Sequence, residues 1–278
     1  MIAHGTARFT GAGGSDLFRQ WWRPADGTAR AVLVNLHGLG DHSGLYTALA
    51  DALPARGIAL HAYDHRGHGR SAGQRAWIRA WDEYLDDLAA FLDLVAAEEP
   101  GIPLFLLGNS LGGLMALDFA IARRSMLRGV AAAAPPLGEV GVPPLLMALG
   151  RVMSKVWPRF SLEVGMDLSG LARDPAIAAA LIADPLFHRR GTARLSTEVT
   201  RAIRRVQQRA PELRLPVLLL HGGADRMVPP DGTREFFARL TVADRTFREY
   251  PHAYHALFAD SDADVVIGDL AGWIEARL

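Results

Sequence analysis

The stretch LFLLGNSLGGLMAL, residues 104–117, constrains the fold most, because three glycines and one serine interrupt sequence that is apolar on both sides. An exposed loop is usually rich in Asp, Asn, Pro and Lys, whereas this interruption returns at once to apolar residues. We therefore predict a tight turn deep in the fold, between a buried strand and a buried helix.

Short apolar runs alternate with helical patterns along much of the chain. Their continuous hydrophobicity is typical of parallel strands that are covered on both faces. The predicted parallel strands are residues 31–35, 58–63, 104–107, 130–134, 217–220 and 246–250, preceded by an antiparallel edge strand at 17–23. Apolar residues at a 3.6-residue period predict helices over 81–95 and 265–278. The fold class that follows is α/β, with a mostly parallel central sheet and helices on both faces.

The alternation stops between Pro135 and about Ala210, where two Pro-Pro pairs precede helical patterns with no convincing strand. About 75 residues is far longer than an ordinary connection in such a sheet. The segment follows the carboxyl end of a strand, where ligand crevices form in open α/β folds. We therefore predict a core of residues 1–134 and 211–278, and a helical cap (lid) of residues 135–210 over the site.

Composition narrows the functional classes. Thirty basic and thirty acidic residues give a formal net charge of zero, which disfavours nucleic acid as a partner. The chain has no cysteine, which excludes disulfides, thiol nucleophiles and cysteinyl metal sites. Neither a signal peptide nor an apolar stretch of spanning length is visible, so we expect a soluble, cytoplasmic protein, compatible with a peripheral position on a membrane.

The interrupted stretch has the pattern G-x-S-x-G, which is typical of a nucleophile elbow in an α/β sheet. The pattern places Ser110 at the tip of a sharp strand-to-helix turn. A serine hydroxyl needs a base, and in sheets of this class an acid follows a later strand and a histidine comes near the end. Asp225 in HGGADR and His255 in EYPHAYHALF stand at those places, with His252 as the alternative base.

The loop HGLGDHS at residues 37–43 follows the first predicted parallel strand. Its glycines allow backbone amides to turn inward, so we predict an oxyanion hole from the amides of Leu39 and Leu111. His37 and His221 each end a strand before a glycine. We interpret them as corner residues that satisfy backbone groups.

A polar cluster in HAYDHRGHGRS has residue types that bind metal ions. It contains His61, Asp64, His65 and His68. The spacing superficially resembles that of binuclear metallohydrolases, but the interleaved glycines place the cluster in a turn without a partner cluster. We predict that Asp64 and Arg66 brace this turn by hydrogen bonds. No metal and no cofactor are expected.

Six motifs in order carry a resemblance over nearly the whole chain: HGLGDHSGLY, YDHRGHGRSAG, GNSLGG, ADPLFHR, LLLHGGADRMVPP and EYPHAYHALF. Together they resemble the monoacylglycerol lipase and lysophospholipase branch of the α/β-hydrolases. The resemblance implies a serine esterase with a helical cap. Such an enzyme forms an acyl-enzyme on Ser110, and its small-molecule substrates are lipid-like or simple acyl esters. It also implies a triad of Ser110, Asp225 and His255, and oxyanion amides at Leu39 and Leu111.

The chain departs from this branch where a glycerol head is held. The branch usually has histidine before the nucleophile, glutamate and arginine in the oxyanion loop, and tyrosine in the cap; here those positions hold Asn109, Asp41, Leu45 and Leu181. We therefore predict a broad carboxylesterase with these four as substrate-binding residues. The alternatives are a lysophospholipase, a cap-bearing hydrolase of peptides or C–C bonds, and a non-catalytic ligand-binding protein.

The predicted cap begins with a cationic amphipathic helix. Its apolar face holds Leu145, Leu149, Val152, Met153 and Val156, and its basic face holds Arg151, Lys155 and Arg159. Such a helix can lie on a lipid surface, with contact through Leu145, Leu149, Met153 and Trp157. We favour the alternative that its apolar face lines an acyl tunnel.

Overall fold

The computed structural model describes residues 2–25, 27–123, 126–138, 144–163 and 168–278, with the backbone alone for residues 144–147. The strands among them are β1 (Ile2–Thr10), β2 (Asp16–Pro24), β3 (Ala31–Leu36), β4 (Ile58–Tyr63), β5 (Leu104–Asn109), β6 (Leu127–Ala133), β7 (Ser161–Glu163), β8 (Arg190–Thr192), β9 (Val217–Gly222) and β10 (Arg245–Tyr250). The α-helices are α1 (Thr47–Ala52), α2 (Asp82–Glu98), α3 (Leu111–Ala122), α4 (Pro144–Val156), α5 (Pro175–Ala183), α6 (Ala193–Arg209), α7 (Asp231–Arg239) and α8 (Ala263–Glu275).

Eight strands form one sheet in the order β1-β2-β4-β3-β5-β6-β9-β10. The pairs β1/β2 and β2/β4 are antiparallel, and the remaining pairs are parallel. The predicted α/β class and mostly parallel sheet are confirmed. The carboxyl ends of the parallel strands lie at one edge, which therefore collects the loops that follow β3, β5, β6, β9 and β10.

Two strand predictions were wrong. The antiparallel strand at residues 17–23 exists as β2, but β1 lies outside it, so β2 is not the edge of the sheet. The segment after β6 does contain strands, because β7 and β8 pair antiparallel in a sheet of their own. Both β7 and β8 are three residues long, too short to show a hydrophobic period.

Helices cover both faces of the large sheet, and side chains of each strand alternate between two apolar cores. Val32 and Val34 of β3 pack with buried residues of α2, α3 and α6, whereas Ala31 and Leu33 face those of α1 and α8. Ten of the twelve residues of α3 are buried, which explains why this helix is apolar on all sides. The stretch LGNSLGGL thus lies inside the fold on both sides of the turn.

Helix α4 forms where predicted and ends before Pro158, but its apolar face does not line a tunnel as we favoured. Leu149, Val152 and Val156 are 55%, 56% and 76% exposed. None of the α4 side chains that the structure describes, residues 148–156, lines the cavity near Ser110. Leu145 lies outside the described side chains. The inner side of α4 packs against α6 instead, with Ser154 buried.

Candidate active site

Ser110 occupies the single-residue turn between β5 and α3. Its φ and ψ angles are 51° and −118°, a region that residues with a Cβ rarely adopt and that costs about 1–3 kcal/mol. The two flanking glycines are required by close backbone approach. A Cβ on Gly108 would collide with the carbonyl oxygen of Gly112, and one on Gly112 with that of Leu36. These contacts explain why glycines interrupt the buried stretch.

Asp225 and His255 lie on the loops that follow β9 and β10 and form one hydrogen-bonded pair. His255 Nδ1 donates to Asp225 Oδ2 at 2.6 Å, and both side chains are buried. Asp225 Oδ1 accepts the amides of Met227 and Val228, each at 2.9 Å. Because Nδ1 carries the donated hydrogen, the neutral ring has its lone pair on Nε2.

Burial by itself would raise the pKa of Asp225. The nearby His221 ring, with Nε2 at 3.6 Å, and the hydrogen bond from His255 outweigh that effect, and the pKa of the carboxyl lies well below its ordinary value. Asp225 is therefore an anion over the whole neutral range. An anion in contact with Nδ1 stabilises the positively charged form of His255.

Ser110 and His255 line the same cavity, whose volume is about 320 Å³. His252, the alternative base, is exposed and is not among the cavity residues that the structure describes. Most of the wall is apolar. It includes Leu168, Leu171, Leu181, Phe187, Val199, Ile203, Met227 and Val228, the first six from the segment between β6 and β9. Of these six, only Leu181 was predicted at the site; the other five come from several elements of this segment and were not predicted.

Leu39 and Leu111, the predicted oxyanion donors, also line the cavity. The Leu111 amide is the first of α3, so it has no acceptor within the helix. The amide of Leu39 has no hydrogen-bond acceptor among the described residues. The two amides therefore have donor capacity for a ligand atom near Ser110.

The polar end of the cavity is formed by Asp41, Asn109 and Tyr46. The Tyr46 hydroxyl donates to Asp41 Oδ2 at 3.2 Å, and the Gly38 amide lies 3.2 Å from the same oxygen. Burial raises the pKa of Asp41, although His255, Tyr46 and the Gly38 amide act in the opposite direction. Asp41, Leu45, Asn109 and Leu181, the predicted substrate-binding residues, all line the cavity that contains Ser110. Tyr46 was not predicted as a site residue, although it is the last residue of the motif HGLGDHSGLY.

The loop after β3 is fastened to the segment between β6 and β9. The His188 amide donates to the Gly40 carbonyl at 3.0 Å, and His42 Nε2 lies 3.1 Å from Asp184 Oδ1. Further along, Thr192 Oγ1 donates to the carbonyl of Ala76 at 2.7 Å. The wall of the cavity and the loop carrying Leu39 are therefore held together by direct bonds.

The histidine-rich turn after β4 is braced as expected. Asp64 accepts the Ser43 hydroxyl at 2.6 Å and the Arg70 amide at 2.7 Å, and Arg66 pairs with Asp87 at 2.6 Å. Burial lowers the pKa of His65 to about 4. Among the described residues, no group of three or more His, Asp or Glu could hold a metal ion.

The fold and this site define the class of the protein: an α/β-hydrolase with a half-buried serine at a nucleophile elbow. A family profile described as serine aminopeptidase, S33, matches residues 27–262. The chain is 32% identical to a monoacylglycerol lipase of Mycolicibacterium smegmatis over 97% of this chain and 96% of that one. It is 31% identical to a monoglyceride lipase of Homo sapiens over 96% and 89%.

A crystal structure of a monoacylglycerol lipase of Paleococcus ferrophilus superimposes with a TM-score of 0.83 at 32% identity, covering 99% of this chain and 100% of that chain. The chain belongs to the serine aminopeptidase S33 family, in the monoacylglycerol lipase-like branch of the α/β-hydrolases, and is a serine carboxylic ester hydrolase. None of the helices that the structure describes is both long and apolar enough to cross a bilayer.

Proposed function

We propose that Ser110, His255 and Asp225 are the catalytic triad of a broad carboxylesterase for lipid-like or simple acyl esters. The observation that carries the proposal is one largely apolar cavity lined by both Ser110 and His255, with Asp225 bound to the far side of the imidazole. An apolar wall suits an acyl chain, and the polar end beside Asp41 suits the alcohol of the ester.

In this mechanism the Ser110 hydroxyl attacks the ester carbonyl while Nε2 of His255 takes its proton. The amides of Leu39 and Leu111 donate hydrogen bonds to the oxyanion of the tetrahedral intermediate. His255 then protonates the leaving alcohol, and an acyl-enzyme remains on Ser110. Water, activated by His255, releases the acid. Asp225 orients the ring throughout and stabilises its charged form.

We propose that residues 135–210 act as the cap of this enzyme, over a core of residues 1–134 and 211–278. The support is that seven residues of the cavity wall, Pro136 among them, come from this segment. The hydrogen bond from the His188 amide to Gly40 and the contact of His42 Nε2 with the Asp184 carboxylate join it to the loop that carries Leu39. The cytoplasmic location expected from the sequence stays a prediction.

The polar end of the cavity, which would hold the alcohol of the ester, determines how selective the enzyme is among esters. A site whose buried polar groups bind a substrate hydroxyl rejects analogues without it by large factors, whereas apolar fit discriminates by only about 1–3 kcal/mol. Two of the four predicted substrate-binding residues are leucines, Leu45 and Leu181. The Asp41 carboxylate already accepts a hydrogen bond from the Tyr46 hydroxyl. The pocket therefore has few free polar groups with which to select glycerol.

We expect kcat/KM for a 1-monoacylglycerol and for the ethyl ester of the same acid to differ by less than about a hundredfold, the range of apolar fit. Asp41→Asn is the matched control, and it should change this ratio by no more than about tenfold. p-Nitrophenyl esters of increasing length and lysophosphatidylcholine, measured alongside, define the acyl and head-group range. A preference for the glycerol ester above about a thousandfold would show a selective glycerol site instead.

We further propose that α4 and the residues after it contact a lipid surface. Leu149, Val152 and Val156 form an exposed apolar patch with Trp157, which is 58% exposed, whereas Met153 is half-buried. Arg151 and Lys155 flank the patch and are exposed. Exposed apolar residues beside cations are typical of helices that lie in the interface of an anionic bilayer.

The test is sedimentation of the protein with phosphatidylglycerol vesicles. Burial of a valine contributes about 1.5 kcal/mol, so Val152→Ser with Val156→Ser should lower partitioning by at least about tenfold. Val265→Ser is the matched control, because Val265 is 60% exposed on α8, outside this patch. The proposal fails if the wild-type protein stays in the supernatant, or if the control variant loses as much binding.

A further inference from the structure

His221 is a buried imidazole that the mechanism above does not use. It lies in β9, four residues before Asp225, and the side chains of both residues are inaccessible to solvent. His221 Nε2 is 2.8 Å from the carbonyl oxygen of Val228 and 3.6 Å from Asp225 Oδ2. Its Nδ1 is 2.9 Å from the hydroxyl of Thr233 in α7. Both ring nitrogens therefore have a partner.

These partners determine which nitrogen of His221 carries the hydrogen. A carbonyl oxygen can only accept, so Nε2 donates to Val228. In the neutral ring Nδ1 then accepts from the Thr233 hydroxyl, which can donate. The hydrogen on Nε2 is consequently directed at Val228 and lies beside the Asp225 carboxylate. Glu249 of β10 also lies near His221, and Arg234 binds its carboxylate at 2.9 Å.

Val228 connects His221 to the acid by a second route. Its amide donates to Asp225 Oδ1 at 2.9 Å, while its carbonyl accepts from His221. The turn from Asp225 to Val228 is thus bound at both ends. A rotation of the carboxylate away from His255 would have to break its hydrogen bond with the Val228 amide. A shift of the turn would break the hydrogen bond from His221 to the Val228 carbonyl.

We propose that His221 is a positioning residue for the acid of the triad. Its Nε2–H holds the turn at Asp225–Val228 and keeps Oδ2 directed at Nδ1 of His255. The proposal rests on the proposed function, because Asp225 must be the acid that orients the base. Loss of the donor would leave the imidazolium of His255 less stabilised in the transition state.

Two variants of similar size isolate the donor. His221→Gln keeps an N–H at about the position of Nε2, whereas His221→Met fills the same space without a donor. We expect His221→Met to lower kcat/KM for a p-nitrophenyl ester at least about tenfold, and to move the acidic limb of its pH profile down by about half a unit or more. His221→Gln should remain within about threefold of wild type with an unmoved limb.

The acidic limb separates positioning from a merely structural role. A structural residue would lower Tm and the fraction of active enzyme, titrated with a fluorophosphonate, without moving the limb. If His221→Met does not fold, His221→Asn replaces it, since Asn can pair with Thr233 but is too short to reach Val228. A donor-free variant with wild-type kcat/KM, or one with an unmoved limb, would overturn the proposal.

Ser110→Ala, measured in parallel, keeps the two proposals apart. If Ser110→Ala retains activity, the triad is wrong, whatever the His221 variants do. If Ser110→Ala is inactive and His221→Met behaves as the wild-type protein does, the triad stands and the role of His221 falls.

Discussion

Replacement of Ser110 with alanine is expected to abolish ester turnover, lowering kcat by at least about a thousandfold, because triad members act as a unit. The hydroxyl is the only group of this residue that forms the acyl-enzyme. The backbone at φ 51° is equally strained for serine and alanine, so the variant should fold with the wild-type Tm. Steady-state hydrolysis of p-nitrophenyl butyrate and thermal unfolding measure the two quantities.

Ser110→Gly is the matched control for this prediction. Glycine also lacks the hydroxyl but adopts φ near 51° without strain, so the variant should be equally inactive and about 1 kcal/mol more stable. Neither variant should react with a fluorophosphonate. Activity above roughly a tenth of wild type in either variant would show that Ser110 is not the nucleophile.

Replacement of His255 with alanine should match the Ser110 variant within about tenfold in kcat, because without a base the hydroxyl is a poor nucleophile. His255 is buried, lines the cavity and binds Asp225 at 2.6 Å. His252→Ala is the control, three residues away. Its side chain is exposed, so this variant should keep most activity at wild-type stability.

Rates with one activated ester, measured across pH 5 to 9, decide between the two histidines. The assignment would be reversed if His252→Ala were the inactive variant and His255→Ala an active one. If both variants kept activity, the base would have to come from elsewhere in the cavity wall. Both variants must have the Tm of the wild-type protein, so that a loss of activity reflects loss of the base and not loss of the fold.

The parallel strands and the elbow could be predicted because each carries a local signal. Buried strands are continuously apolar, and the glycines that flank Ser110 are required because backbone atoms four residues away or on the adjoining strand come too close for a Cβ. β1 could not be predicted, since its residues alternate between exposed and half-buried and include Ala3, His4, Gly5 and Thr6. It is a strand because β2 supplies its hydrogen bonds.

The order of the serine, the acid and the histidine along the chain was enough to predict Ser110, Asp225 and His255 as the triad, because strands in a parallel sheet end at a common edge.

The sequence pattern also determined α4 as an amphipathic helix. Periodicity records which side chains share a face, but not what that face meets. Only the tertiary structure decided that the apolar face of α4 is exposed, and that residues of α5, α6 and their loops line the cavity instead. The same holds for Tyr46 and His221. Their partners Asp41 and Val228 are near in sequence, yet it is the folding of loops over the sheet edge that brings their polar atoms within hydrogen-bond distance.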